Sequence, residues 1–353
     1  MAVRGGLVAA GVAVAWWGIA RRPAIRLLPD DRFFARVVWS LGEWGVSTNP
    51  FALGTEFRYH WASYGWLGLL SRASGAGAEA GVRTVGPLVV GLLCATALVA
   101  LARRCGTRPA AAMVAAAVAV ACDTYAITGR GRGFHIGWVE SFSQLASVPM
   151  IVAVLLWLSR TLHGIRVRDA VALGAAVVAT GAVKVSAAAV AIAAIWGAVA
   201  WSAWRGRRVS AAALAMVATT GAAFIAAAWR FSDPVGNSTL GSGIVRPYWP
   251  VGFIGDLWRW YVDSLVKWVV VMGLLLAALC ISIPFALAHA RELGDAATVR
   301  VIGATLVAGS AAGLALTVLM PPSDNPFYAL QDVAAVAWLV VAVMTVRHVR
   351  SRA

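Results

Sequence analysis

The stretch AVALGAAVVATGAVKVSAAAVAIAAIWGAVAWSAW, Ala170 to Trp204, decides how often this chain changes sides of a membrane. As one helix it would be about 52 Å long at 1.5 Å per residue. That is too long for a hydrocarbon core of about 30 Å, even with ordinary tilt. Two short helices with a break between them are therefore expected. Gly181 and Lys184 supply the break: a flexible residue, and a charge that should seek the surface or a wet cavity. The alternative is a single long helix protruding into the cytoplasm, which would move every later segment to the other side.

Working outward, the 353 residues are 61% hydrophobic and 13% charged, whereas a soluble domain carries about 25% charge. Apolar runs long enough to cross lipid lie near 5–20, 84–102, 110–127, 143–158, 170–183, 185–204, 211–229, 265–288, 301–320 and 333–346. The expected fold is all-α: a polytopic transmembrane helical bundle of about ten helices, forming one integral membrane domain over residues 1–353. The first run follows Arg4 as in a signal peptide. Trp16 and Trp17 followed by Arg21 and Arg22 leave no small-residue cleavage site, so it reads as an uncleaved span. Cys94, Cys105, Cys122 and Cys280 show neither CxxC nor Cys/His spacing, which argues against a zinc site or a disulfide framework.

The net charge of +15 comes almost wholly from Arg clusters that punctuate the apolar runs. This is a topology signal rather than a nucleic-acid surface. With ten spans, the clusters Arg103/Arg104/Arg108, Arg160/Arg166/Arg168, Arg205/Arg207/Arg208 and Arg347/Arg350/Arg352 fall on one side. The positive-inside rule makes that side cytoplasmic and places both termini there. Arg21 and Arg22, taken alone, would favour the reverse orientation of the first helix. Of the fifteen acids, only Asp169, Glu292 and Asp295 fall on the inner side. The working face is expected to be extracytoplasmic.

Two outer segments are long, 21–83 and 230–264, and both are rich in aromatic residues. Amphipathic interfacial helices are expected in the first. In "LLPDDRFFARVVWSLGEWG", Asp30 and Asp31 precede Phe33, Phe34, Val37, Val38 and Leu41, which recur on one helical face. One carboxylate suffices to cap a helix. The second is surplus to a cap, so the pair is a candidate general base, hydroxyl binder or metal site. Glu56, Arg58, Tyr59 and His60 stand before a second aromatic helix. They can converge on the carboxylates if the two helices pack together, although His60 also suits an interfacial anchor. A hydrolase built on Ser63 or Ser71 with His60 is discounted because neither serine sits in a nucleophile elbow.

For an anionic ligand, Lys184 is the sharpest candidate, one of two lysines, with snorkelling to the headgroups as its alternative. Arg130 and Arg132, with His135, form the Gly-rich basic turn "TGRGRGFHIGW", suited to a phosphate or a lipid headgroup. Arg246 in "GSGIVRPYWP" is a third phosphate candidate. Its neighbours Tyr248 and Trp249 suit stacking on a sugar face or an aromatic belt. Asp324 and Asn325 in "MPPSDNPFYALQD" read first as a turn, and Asp123 and Glu140 are weaker ligand candidates.

The acidic "PDDRFF", the helix ending "LGEWG" and the following "NPFALGTEFRYHWASYGWLGLLSRASG" resemble the first outer loop of the GT-C superfamily of membrane glycosyltransferases. "SFSQLASVPMIVAVLLWL" and "GAVKVSAAAV" are weaker echoes. The resemblance implies a catalytic Asp in that loop, a polyprenyl-phosphate-linked sugar donor, and a glycan, glycolipid or protein acceptor. Asp30 and Asp31 take the catalytic position. Lys184, Arg130, Arg132, His60 and Arg246 would bind donor phosphate, while Glu56, Arg58, Tyr59, Tyr248 and Trp249 would bind substrate. No cofactor is required by these residues, and a divalent cation (Mg or Mn) at Asp30 and Asp31 stays open. High Ala, Val, Arg and Gly usage suggests a GC-rich bacterial genome, hence the bacterial inner membrane, in contact with its lipids and with a membrane protein partner as an open alternative. The rivals are a transporter or flippase, and a noncatalytic membrane scaffold. Against the first, there is no convincing repeat, and the expected helix centres are nearly free of charge.

Overall fold

The computed structural model describes residues 29–45, 61–75, 77–122, 142–162, 164–205, 209–231, 294–319 and 328–352, with positions 284 and 288. All regular structure among them is helical. Eleven helices are named here: α1 (Pro29–Trp44), α2 (Ala62–Ser74), α3 (Gly86–Arg104), α4 (Pro109–Cys122), α5 (Phe142–Thr161), α6 (Val167–Val183), α7 (Val185–Trp204), α8 (Ala211–Phe231), α9 (Ala296–Ala304), α10 (Ser310–Leu319) and α11 (Tyr328–Arg352). A π-helical turn, Gly81–Val85, leads into α3, and another, Thr305–Gly309, joins α9 to α10 in one continuous span. Four described stretches are long and apolar enough to cross a membrane: Val185–Trp204, Ala211–Phe231, Ala296–Ala315 and Asp332–Val349. The chain is an integral membrane protein with a helical-bundle fold. The spans expected at 5–20 and 265–288 lie outside the described residues, apart from positions 284 and 288.

The decisive stretch breaks at a single residue. Lys184 is extended, with φ −164° and ψ 126°, and ends α6 and begins α7. Glycine spacing reveals the direction of each helix. A Cβ on Gly174 would meet Thr219, and one on Gly181 would meet Ala227, so α6 and α8 run parallel. The intervening α7 must therefore run back, and the break is a full reversal. Gly181 is not part of it: this residue lies inside α6, where the missing side chain lets α8 approach to within 2.6 Å of a would-be Cβ. In lipid, where apolar burial does not draw helices together, such close small-residue contacts carry the packing. Trp196 adds a polar tie from α7 to α8, its indole Nε1 donating to the Val217 carbonyl at 3.2 Å.

Similar pairings orient the rest. Gly303 faces Trp201, Gly197 faces Ala304 and Ala308, and Gly309 faces Val190, so α9–α10 runs antiparallel to α7. Gly313 and Gly309 face Leu330 and Val333, which turns α11 back again. At one end of the bundle the Arg104 guanidinium reaches Asp295 at 2.8 Å and the Ser159 hydroxyl and carbonyl at 3.2 Å. Arg347 donates to the Cys105 carbonyl at the same end. The Arg clusters that bracket α3, α5 and α11 thus share one side, as their placement between spans predicts. Burial pushes the Cys105 thiol up to about 12 despite the lowering influence of Arg347 and Arg104. Such a thiol is a poor nucleophile and a poor metal ligand.

Substituting Gly181→Val should cost about 1–3 kcal/mol by overpacking the α6–α8 seam. The check is thermal unfolding in detergent against Gly164→Ala, a position where an added Cβ meets open space.

Candidate functional site

At the end opposite the Arg104–Asp295 pair, α1 and α2 meet the reversal. The apolar face expected of the first loop helix is present: Phe34, Val37, Val38 and Leu41 are buried, and Trp39 and Trp44 are half exposed on the other side. Phe34 stacks on Tyr64 of α2, with centroids 5.0 Å apart and planes 12° apart, a contact worth about 0.5–1.5 kcal/mol beyond area burial. The backbones then nearly touch. A Cβ on Gly68 would lie 2.6 Å from the Val38 carbonyl oxygen and 2.7 Å from the Gly42 nitrogen. Farther along, Arg72 donates to the Gly42 carbonyl at 3.0 Å. Contacts advance together along both helices, so α1 and α2 run parallel with their N-termini at the same end.

Asp30 and Asp31 occupy the first turn of α1, behind Pro29, the first helical residue. Proline suits that position because the first amide has no helical partner. Acidic residues there are favoured by the helix dipole, one step inside the cap position. The backbone at Asp31 lies about one turn, ~5 Å, from Phe34 along the axis. The start of α2 is moored in turn. Ser63 donates its hydroxyl to the Val183 carbonyl at 3.4 Å, meeting one of the carbonyls that the end of α6 leaves without a helical donor. Trp61 packs edge-on against Phe231 at the end of α8, with centroids 6.4 Å apart. His60 immediately precedes Trp61 in sequence.

Lys184 sits at this junction and is 5% exposed, far from the headgroup snorkelling that a lone lysine beside a span suggests. Its neighbourhood contains two residues that sequence reading missed. Asp332 of α11 is 1% exposed and lies within electrostatic reach of the Lys184 ammonium. Ser147 of α5 is fully buried and donates its hydroxyl to Asp332 Oδ1 at 2.6 Å. Three polar side chains from three separate parts of the chain therefore share the buried interior. The start of α7 has no side-chain cap, so its first amides add a positive dipole end to the ammonium. A cation and a helix N-terminus together favour an anionic oxygen ligand.

The sequence "MPPSDNPFYALQD" predicts an outer turn reaching Gln331, with the last span opening at Val333. The helix begins at Tyr328 instead, which takes Asp332 into its second turn and into the bundle. Glu56, Arg58, Tyr59, His60, Arg130, Arg132, Arg246, Tyr248 and Trp249 lie outside the described residues, as do Asp123, Glu140, Asp324 and Asn325. Of Asp30 and Asp31 only the backbone is described.

No protein-family model matches the sequence, and no curated protein matches it. Among solved structures the chain is similar to the crystal structure of ArnT from Cupriavidus metallidurans bound to undecaprenyl phosphate. That likeness has 14% sequence identity and a TM-score of 0.48, and covers 98% of this chain. The chain spans 61% of that structure's length.

Proposed function

We propose that this chain is a membrane glycosyltransferase of the GT-C kind, transferring a sugar from a polyprenyl-phosphate donor to an acceptor at the extracytoplasmic face of a bacterial inner membrane. The observation that supports this reading is that the first turn of α1 and the buried Lys184 share one end of the bundle. The parallel packing of α1 on α2 and the mooring of α2 to Val183 bring the turn bearing Asp30 and Asp31 to the end of the bundle that holds a buried cation. A lipid-phosphate donor needs an apolar surface for its tail, a cation for its phosphate and a base for the acceptor.

In the proposed reaction one carboxylate of the Asp30–Asp31 pair takes the proton of the acceptor hydroxyl. The acceptor oxygen then forms a bond to the anomeric carbon from the face opposite the phosphate, and the carbon–oxygen bond to the phosphate breaks with its electron pair. Negative charge grows on the departing polyprenyl phosphate, where Lys184 stabilises it, assisted by Arg130, Arg132, His60 or Arg246. Configuration inverts in this single displacement. Glu56, Arg58, Tyr59, Tyr248 and Trp249 supply hydrogen-bonding and stacking groups for the sugars. Two adjacent carboxylates also fit a hard divalent cation such as Mg or Mn. Transfer before and after EDTA treatment separates direct base catalysis from metal assistance.

The purified chain in nanodiscs, given a panel of synthetic polyprenyl-phosphate sugars, should release polyprenyl phosphate with at least one donor. Lys184→Met should raise KM for that donor or lower kcat/KM by about 10–100-fold, the loss of one charge-assisted phosphate contact. Release from no donor, or a Lys184→Met enzyme as efficient as the parent, overturns the reading.

A further inference from the structure

We infer that Asp332, held by Ser147, is a positioning residue for Lys184, aiming its ammonium at the phosphate of a polyprenyl-phosphate lipid. The inference rests on the proposed function only in taking that phosphate as the ligand of Lys184.

The geometry carries it in three steps. Lys184 is the cap residue shared by the end of α6 and the start of α7, and its backbone takes part in the reversal: its amide donates to the Thr180 carbonyl at 2.7 Å and its carbonyl accepts from Ala188 at 3.2 Å. The Lys184 side chain is buried in an interior built of Ala, Val and Leu, where an uncompensated ammonium is costly. Asp332 supplies the counter-charge from α11, and Ser147 fixes the carboxylate from α5 through the 2.6 Å hydrogen bond. Ser147 stands two residues before Pro149, inside α5. A proline there removes one helical hydrogen bond. The carboxylate is almost wholly buried and already accepts the Ser147 hydroxyl. Its effect on the reaction passes through the lysine.

Acting through Lys184 has a measurable signature, because the two substitutions cannot then be additive. The probe is polyprenyl monophosphate, titrated against the full chain in nanodiscs of neutral lipid. Asp332→Asn should raise Kd by about tenfold, the scale of one hydrogen bond to a charged group. Ser147→Ala should raise it about threefold, and Asp332→Glu should recover most of the affinity. In a Lys184→Met background, Asp332→Asn should change Kd by less than twofold. The double variant removes both buried charges together and so remains folded where the single Asn variant fails. An unchanged Kd in Asp332→Asn or Ser147→Ala, or an undiminished Asp332 effect in the Lys184→Met background, overturns the inference. So does a parent chain that binds no polyprenyl monophosphate. A parent that binds the lipid with this pattern yet transfers no sugar refutes the enzymatic reading alone.

Discussion

The chain carrying Asp30→Asn and Asp31→Asn together is expected to lose sugar transfer by about 10²–10⁴-fold, the range that one positioned general base contributes. The substitution keeps side-chain size and hydrogen-bonding capacity while removing the negative charge. Helix α1 should persist, because its place is set by Phe34, Val37, Val38 and Leu41 rather than by its first turn. Donor binding should therefore survive, with polyprenyl monophosphate affinity within a few-fold of the parent, while kcat collapses. The single variants identify the base: one should resemble the double and the other the parent. A double variant with near-normal turnover removes both carboxylates from the chemistry and leaves the scaffold or transporter readings standing.

The second large effect is expected at Gly68→Val. The would-be Cβ of Gly68 lies against backbone atoms of α1, which cannot step aside as a flexible side chain can. A branched side chain must push the two helices apart and swing the first turn of α1 away from the Lys184 junction. Turnover should fall at least 10²-fold, since a displacement of about 1 Å at reacting groups can cost that much. The spanning helices make no use of this contact, so the detergent unfolding temperature should fall by only a few degrees. Parallel measurement of kcat and unfolding checks both halves. Full activity in Gly68→Val would separate α1 from the reaction.

These two expectations draw on different layers of legibility. The α1 face could be read from the sequence because its periodicity is local, and the reversal at Lys184 because helix length and bilayer thickness conflict over only 35 residues, Ala170 to Trp204. The identity of the breaking residue was half legible. A charge and a glycine three residues apart are equally plausible hinges, and only the approach of Ala227 shows that Gly181 is a packing device. The pairing of Ser147 with Asp332 joins residues 185 positions apart. Neither carries a motif, and an acid at the edge of an apolar run reads as a boundary marker until the partner helices are in place. The parallel course of α1 and α2 was likewise hidden, because it depends on two glycines meeting across segments joined by residues 46–60.

A reversal made of one extended residue also constrains how the protein is made. Helix α6 has 17 residues and is followed at once by a charge, which puts it at the short end of what a lone span needs. With Val183 and Val185 separated only by Lys184, no tether exists that could let the first arm partition while the second waits in the ribosomal tunnel. The two arms are therefore expected to enter the bilayer together, as a hairpin with Lys184 at its tip, rather than helix by helix.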